Sequence, residues 1–385
     1  IDGSDLDALN KKRTATLLQP KMAKAIENHT RTEFPICIAS YGTDALRFTF
    51  CALASTGRDI NFDMGRIEGY RNFCNKLWNA ARFVIMNTAD KELNPEKPLE
   101  YSLADNWIRS RLQDTIQRVA QAFKHYRFDL LAQALYEFTW NEYCDWYLEL
   151  AKCALNDNNA KPAQQRAARV TLLEVLECLL RLIHPIMPFI TEEIWQKVSR
   201  LLGNMGKTIM VELYPEFQAD QHNEKVEDEV KWLQNIIIAI RSMRSEMGIS
   251  PAKHVTLILN KGNNKDKKRS NDGELYIKTL AKVATLRWAK STDTLTASAT
   301  AVINDLELHI PLAGLIDKKA ELTRLNKEIS KLAKEQQKSA NKLDNPNYVK
   351  KAPAEVVEKE RARLKQSEET LEKLKKHYKN IESVE

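Results

Sequence analysis

"FDLLAQALYEFTWNEYCDWYLELAK", residues 128–152, decides the fold. It is long enough for a helix of several turns, contains neither Gly nor Pro, and is apolar or aromatic on nearly every face. A helix lying on a surface keeps one polar side. One without such a side must be enclosed by neighbours in several directions, so this segment predicts the central helix of an all-helical bundle.

Working outward, the same 3–4 spacing of apolar residues predicts helices over roughly 42–55, 64–87, 102–124, 127–154, 162–184 and 190–202. "LNPEKPLE" (93–100) and "LNDNNAKPA" (155–163) supply breaks. In "HPIMPFITEEIW" (184–195), Pro185 and Pro188 end one helix, and Thr191 is the expected N-cap of the next, with Glu192 and Glu193 in its first turn. His184 reads as a capping or packing residue rather than a base. Residues 1–40 are polar and broken by Pro20 and Pro35.

After residue 228 the character changes. A helix at about 229–246 precedes short β-branched runs, "HVTLIL", "ATLRWA", "TAVIN" and "LELHIPL", with another helix near 273–283. The intervening "NKGNNKDKKRSNDG" reads as a basic, exposed, flexible loop. From Leu315 onward, Leu322, Leu325, Ile329, Leu332 and Leu343 keep heptad spacing, with polar Gln336 and Ser339 on the seam. "DNPNYVKKAP" interrupts, and Val357, Leu364, Leu371, Leu374 and Tyr378 form a second set. Two such helices joined by a turn predict an antiparallel coiled-coil hairpin. The expected class is mainly α, in four parts: a polar segment 1–40, a helical bundle 41–228, a small α+β domain 229–313 and a coiled-coil arm 314–385.

The chain has 385 residues and a formal net charge of +7. The arm, with 18 Lys and Arg against 13 Asp and Glu, is expected to hold most of that excess. A basic balance fits nucleic acid. The six cysteines show no CxxC pair and no zinc spacing, so no metal is expected and they are read as reduced thiols of a cytoplasmic protein. No apolar run is long enough for a membrane-spanning helix. "IDGSDLDALNKKRT" at the start has no initiator Met and reads as the interior of a longer chain.

Chemistry is hard to find and binding is not. There is no GxGxxG, GxxxxGK[ST], HExxH or GxSxG, and no catalytic residue is assigned. "KMAKA" (21–25) resembles an ATP-holding KMSKS loop, but both serines are replaced by alanine and the run leads into "AKAIENH"; a charged helix is the preferred reading. By contrast, "YRNFCNKLWNAARFV" (70–84), wound at about 100° per residue, buries Phe73, Leu77, Ala80 and Val84. It presents Arg71, Asn72, Asn75, Lys76, Asn79 and Arg82 opposite, with Phe83 in the same arc and no carboxylate. Asparagine is a poor helix former, so helix stability did not select this face. Asn reads base edges, Arg and Lys take phosphate or guanine, and an aromatic ring stacks an unpaired base. The competing reading is that the asparagines bond to neighbouring helices.

The order of segments is similar to that of a known family. "YGTDALRFTF" (41–50) resembles the opening of the anticodon-binding domain of class I aminoacyl-tRNA synthetases, and "STGRDINFDMGRIEGYRNFCNKLWNAARFV", "YEFTWNEYCDWYLELAK", "HPIMPFITEEIWQ" and "RSMRSEMGISPAK" follow in the family's order. The closing arm makes the resemblance specific to the bacterial valyl-tRNA synthetases. Relatives for isoleucine and leucine share the DALRF-type opening but do not end in this arm. The resemblance implies that a catalytic and an editing domain precede residue 1, and that the intact enzyme, a monomer, joins valine to its tRNA using ATP with magnesium and hydrolyses threonyl-tRNA. This part would bind valine tRNA and need no cofactor. It implies an anticodon-binding surface, which helical geometry, rather than the family pattern, places around Arg66, Arg71, Asn72, Asn75, Lys76, Asn79, Arg82 and Phe83. Where relatives often carry a basic residue this chain has Gly65, so that contact is lost or passed to Arg66. It implies further that Lys327, Lys331, Lys334 and Lys338 meet tRNA phosphates, and that Arg241 and Arg244 meet the tRNA stem or else pair with acids of the bundle. A coiled-coil scaffold for other proteins and a generic tRNA-binding factor are the alternatives.

Overall fold

The structure is a computed structural model. It describes residues 5–35, 38–55, 57, 62–91, 93, 97–203, 206–291, 298–315 and 318–343, and beyond these only 357–359, 361–362, 364–365, 367–368, 371–372, 375, 378 and 382. The side chains of 318–321, 324, 325, 328, 335 and 338 lie outside the description. The chain divides into two compact units, 1–230 and 231–385.

The first unit is helical throughout. Short helices α1 (Leu6–Thr14) and α2 (Ala23–Glu33) pack on each other. The "KMAKA" run forms a short 3-10 turn, Pro20–Met22, leading into α2, with Lys21 and Lys24 exposed. Then come α3 (Thr43–Leu53), α4 (Met64–Thr88), α5 (Leu103–Lys124), α6 (Phe128–Tyr136), α7 (Leu148–Leu155), α8 (Pro162–Ile183) and α9 (Pro188–Leu201). Proline at N1 of α8 and of α9 costs no hydrogen bond there.

The segment that decided the fold is central, as its all-round apolarity required. Leu131, Leu135, Phe138, Tyr143, Tyr147 and Leu150 are all buried. It is not one uninterrupted α-helix, however. Glu137–Tyr147 winds as a π-helix, and the Leu148 amide bonds to the Tyr143 carbonyl, five residues back. The wider turn holds both tyrosines inward. Tyr147 Oη donates to Asp105 Oδ1 at 2.7 Å, and Tyr143 Oη donates to the Leu172 carbonyl at 2.9 Å. π-segments of this kind are rare and cluster at functional surfaces.

Thr191 is not the cap of α9. It is buried inside the helix, its hydroxyl donates to the Met187 carbonyl, and it also bonds His184 Nδ1 at 2.8 Å. The capping acceptor comes from α3. Asp44 takes the amides of Phe189 (3.4 Å) and Ile190 (2.7 Å). Spacing within one segment cannot reveal a cap supplied from 145 residues away.

The second unit begins in α10 (Glu224–Glu246). Its sheet runs in the order β2-β1-β4-β3, from β1 (Val255–Lys261), β2 (Val283–Trp288), β3 (Ser298–Ile303) and β4 (Leu306–Pro311). β1 and β2 are parallel, and the other pairs are antiparallel. The crossover between β1 and β2 holds α11 (Asn264–Asp272) and α12 (Glu274–Ala281). The expected flexible loop is therefore a helix. Asn263 Oδ1 accepts from the amides of Lys265 and Asp266, and Asp266 Oδ2 accepts from the Asn263 amide, a capping box hidden in a run of lysines. Finally α13 (Lys318–Leu343) carries Leu322, Ile329, Leu332 and Leu343 half-buried and Ser339 buried. The described positions between 357 and 382 are helical, with Val357 and Leu371 buried, and Gln336 reaches Glu368 at 3.5 Å. The turn expected at 344–353 and Leu374 lie outside the described residues, as does Cys37. Among the described residues, Cys51, Cys74, Cys144, Cys153 and Cys178 form no disulfide.

Candidate nucleic-acid interface

The surface of interest is built on α4. Asp63 caps it by accepting from the Gly65 amide at 2.8 Å, and the helix continues for 25 residues. Ile67, Phe73, Leu77, Ala80, Ala81, Val84 and Thr88 are buried. That stripe packs on α3, α8, α9 and the π-segment, which leaves one face outward.

On that face Arg71, Asn72, Asn75, Asn79 and Arg82 are exposed. Among the described residues, none of the three asparagines bonds to a neighbouring helix. The face is not held inward by its amides. Arg71 lies 5.9 Å from the Tyr41 ring and barely reaches the Ser40 carbonyl at 3.5 Å, so it stays available. Glu68 is exposed one turn earlier, and a carboxylate does border the row at that end.

Two expected members sit differently from their assignment. Lys76 is half-buried against the π-segment, 2.6 Å from Asp145 Oδ1 and 5.1 Å from the Trp140 ring centroid. Phe83 is half-buried on the same flank, with Lys152 Nζ 5.2 Å from its ring centroid and Lys152 paired to Glu149 at 2.6 Å. Phe83 is therefore not an open stacking platform. On this flank the carboxylates arrive from a neighbouring element, which the pattern of α4 alone cannot report.

The other flank holds the aromatic that the sequence reading passed over. Trp78 is 37% exposed, on the side of Arg71 and Arg82, and Lys197 of α9 lies 5.3 Å from its ring centroid. A shallow pocket of about 430 Å³ joins Trp78, Arg82, Ile85, Met86, Ile194 and Lys197. The signal was present: Trp78 is four residues before Arg82 and three after Asn75, which places it beside the polar row on a helix.

At the N-terminal end of α4 a larger cleft of about 770 Å³ is lined by Arg66, Gly69, Tyr70, Asp129, Gln133 and Tyr136, among others. Burial raises the pKa of both phenols. Tyr136 is stacked between Phe73 (5.1 Å) and Trp140 (5.5 Å). Only its edge and hydroxyl remain for the cleft. Arg127 donates two hydrogen bonds to Asp129 and holds its carboxyl down at about 2.

Arg244 leaves the set of nucleic-acid candidates. It is buried, and its guanidinium donates to the carbonyls of Ala281, Lys282, Ser250, Pro251 and Lys253. Arg241, exposed on the same helix, bonds the Leu280 carbonyl at 3.0 Å. Lys327, Lys331 and Lys334 are exposed on α13, and the side chain of Lys338 lies outside the described residues. Among the described residues no group of three or more His, Cys, Asp or Glu could hold a metal, and no helix is long and apolar enough to cross a membrane.

Comparison with known proteins bears on the same surfaces. A family model for the anticodon-binding domain of tRNA ligase matches residues 105–259, and one for the valyl tRNA synthetase tRNA binding arm matches residues 317–382. The valine–tRNA ligase of Coxiella burnetii is 64% identical over 384 residues, covering 100% of this chain and 42% of the relative. That of Legionella pneumophila strain Paris is 49% identical over 385 residues, with the same coverage. Over its whole length the chain matches part of a valine–tRNA ligase. It spans less than half the length of these curated relatives. The α4 row falls outside both family-model matches and inside the full-length alignments. The first unit therefore carries most of the anticodon-binding match, and α13 falls within the first part of the arm match.

Proposed function

We propose that this chain is the tRNA-recognising part of a valine–tRNA ligase, with α4 reading the anticodon loop and the C-terminal hairpin holding the tRNA body. The observation that carries the reading is the exposed row Arg71, Asn72, Asn75, Asn79 and Arg82, whose amides have no protein partner among the described residues. Asparagine amides are suited to base edges and the arginines to phosphate or guanine. Trp78 supplies the ring on which an unstacked base rests, and Arg66 extends the row into the larger cleft. Lys76 and Phe83 border the surface and act once Asp145 and Lys152 give way. The lysines of α13 contribute salt-dependent affinity without sequence preference. The heptad pattern, together with the Gln336 to Glu368 contact, supports an antiparallel pairing of the two arm segments.

The intact ligase would join valine to its tRNA with ATP and magnesium, in the cytoplasm, as a monomer, and would clear threonyl-tRNA. The residues present here do not fit the ATP group. The one KMSKS-like run continues into α2 with no glycine loop to cradle phosphate, and no step is derived through it.

Titration of valine tRNA and of an anticodon-altered tRNA against the chain tests the reading. Trp78→Ala and Asn75→Ala/Asn79→Ala should each reduce the preference for the valine anticodon by roughly 1–3 kcal/mol. Binding that ignores the anticodon in the unaltered chain would refute it.

A further inference from the structure

The small α+β domain lies in sequence between the two tRNA-binding family matches and belongs largely to neither. It also holds a strongly basic stretch. Residues 253–290 contain ten Lys and Arg against three Asp and Glu, a larger surplus than that of the arm. Over 229–313 as a whole the surplus is five, 13 Lys and Arg against 8 Asp and Glu, equal to that of the arm, so the arm is not alone in carrying the excess.

α11 concentrates that charge on one surface. Lys265, Lys267 and Lys268 are exposed. The acid inside the same run is withdrawn: Asp266 is buried, with Oδ1 accepting from Trp232 Nε1 at 2.9 Å and Oδ2 from the Asn263 amide at 2.9 Å. Among the described residues, Lys265 and Lys268 make no ion pair, even though the exposed Asp272 is four residues from Lys268. Lys261 and Lys278 differ, being neutralised by Glu307 and Glu274. Lys267 stands 5.5 Å from the ring centroid of Trp288, and that ring is anchored through Nε1 to Ser270 Oγ at 3.2 Å. The helix is fixed at its start by the capping box, so these cations are displayed on a rigid element. Lys265 and Lys268, one turn apart, repel each other, and the arrangement gains stability when an anion is shared between them.

We propose that the exposed face of α11, centred on Lys265, Lys267 and Lys268, is a further contact surface for the phosphodiester backbone of tRNA. The proposal rests on the reading of the chain as a tRNA-binding part. A polyanion with regularly repeated charge complements a row of unpaired lysines on a rigid helix, and phosphate contacts of this kind fix position without reading sequence.

The test is tRNA binding by the full 385-residue chain over a range of salt concentrations. Lys265→Ala/Lys267→Ala/Lys268→Ala should weaken binding about 10- to 100-fold at low salt and lower the slope of log K against log salt by about 2. The loss should be equal for valine tRNA and an anticodon-altered tRNA, and the triple Lys→Arg variant should retain the slope. If the alanine variant binds like the parent while Lys331→Ala/Lys334→Ala loses affinity, this surface is not a contact and the tRNA-binding reading stands. If the parent chain binds no tRNA, both readings fall.

Discussion

Replacing Arg244 by alanine separates a structural arginine from a nucleic-acid one. The guanidinium gathers five backbone carbonyls from three places: the 250–253 turn, the end of α12 and the entry to β2. Each bond to a charged donor is worth about 1.5–3 kcal/mol, and a buried carbonyl left unpaired costs about 1–3 kcal/mol. The full sum is not lost. The carbonyls nearest the surface regain water, and truncation also removes the cost of burying a cation. Counting Ala281 as stranded, and Lys282 as losing one of two partners because it keeps the Val255 amide at 3.0 Å, the loss is about 2–4 kcal/mol. Hydrogen exchange over β1–β4 reads it directly, as protection lowered by roughly 30- to 700-fold. Lysine recovers only a minor part, because one ammonium cannot span the carbonyls that a planar fork spans. Binding of tRNA, measured where both proteins are folded, should not change. A variant with protection within about twofold of the parent but a large loss of tRNA affinity would refute the argument and restore Arg244 as a contact.

Gly262→Ala should destabilise the second unit by about 1–3 kcal/mol in urea unfolding, because its φ is +68° and the added Cβ would lie 2.9 Å from Leu306 Cδ1. Tyr147→Phe strands Asp105 Oδ1, which is buried in the bundle, and should cost about 1–3 kcal/mol. For His184, burial lowers the folded-state pKa below 6.5, against the opposing fields of Glu192 and Asp44. The unfolded chain therefore takes up a proton that the folded chain refuses. Stability falls as pH drops below about 6.5, and His184→Gln should remove that part of the slope in pH-dependent thermal unfolding.

Helix positions in the bundle were legible because burial there follows a simple period: the helix expected over 64–87 is Met64–Thr88. Partnership was not legible. Arg241 and Arg244 are one turn apart and identical in sequence, yet one is exposed and the other is sealed among carbonyls. Lys76 and Phe83 read as part of an open face until the π-segment brings Trp140 and Asp145, and α7 brings Lys152, against them. The π-segment itself leaves the apolar pattern almost intact, since every side was already apolar. α11 was missed for the opposite reason: lysines without an apolar stripe look unstructured, although "NNKD" spells a capping box.

Two of the segments that carried the family resemblance, 41–50 and 184–195, prove to be one physical object rather than separate contacts. Pro188, at N1 of α9, has no amide, so the first donors of that helix are Phe189 and Ile190, and Asp44 of "YGTDALRFTF" accepts from both. On the other side of the same junction Arg47 donates to the carbonyls of Pro185 (3.0 Å) and Ile186 (2.7 Å). One α3 turn thus satisfies both ends of a break that two prolines create. Because α9 also packs on α4, the clasp sets where Lys197 stands beside Trp78, and hence the shape of one flank of the candidate interface. Neither Asp44 nor Arg47 lies on the candidate interface, yet together they fix the helix against which it is built.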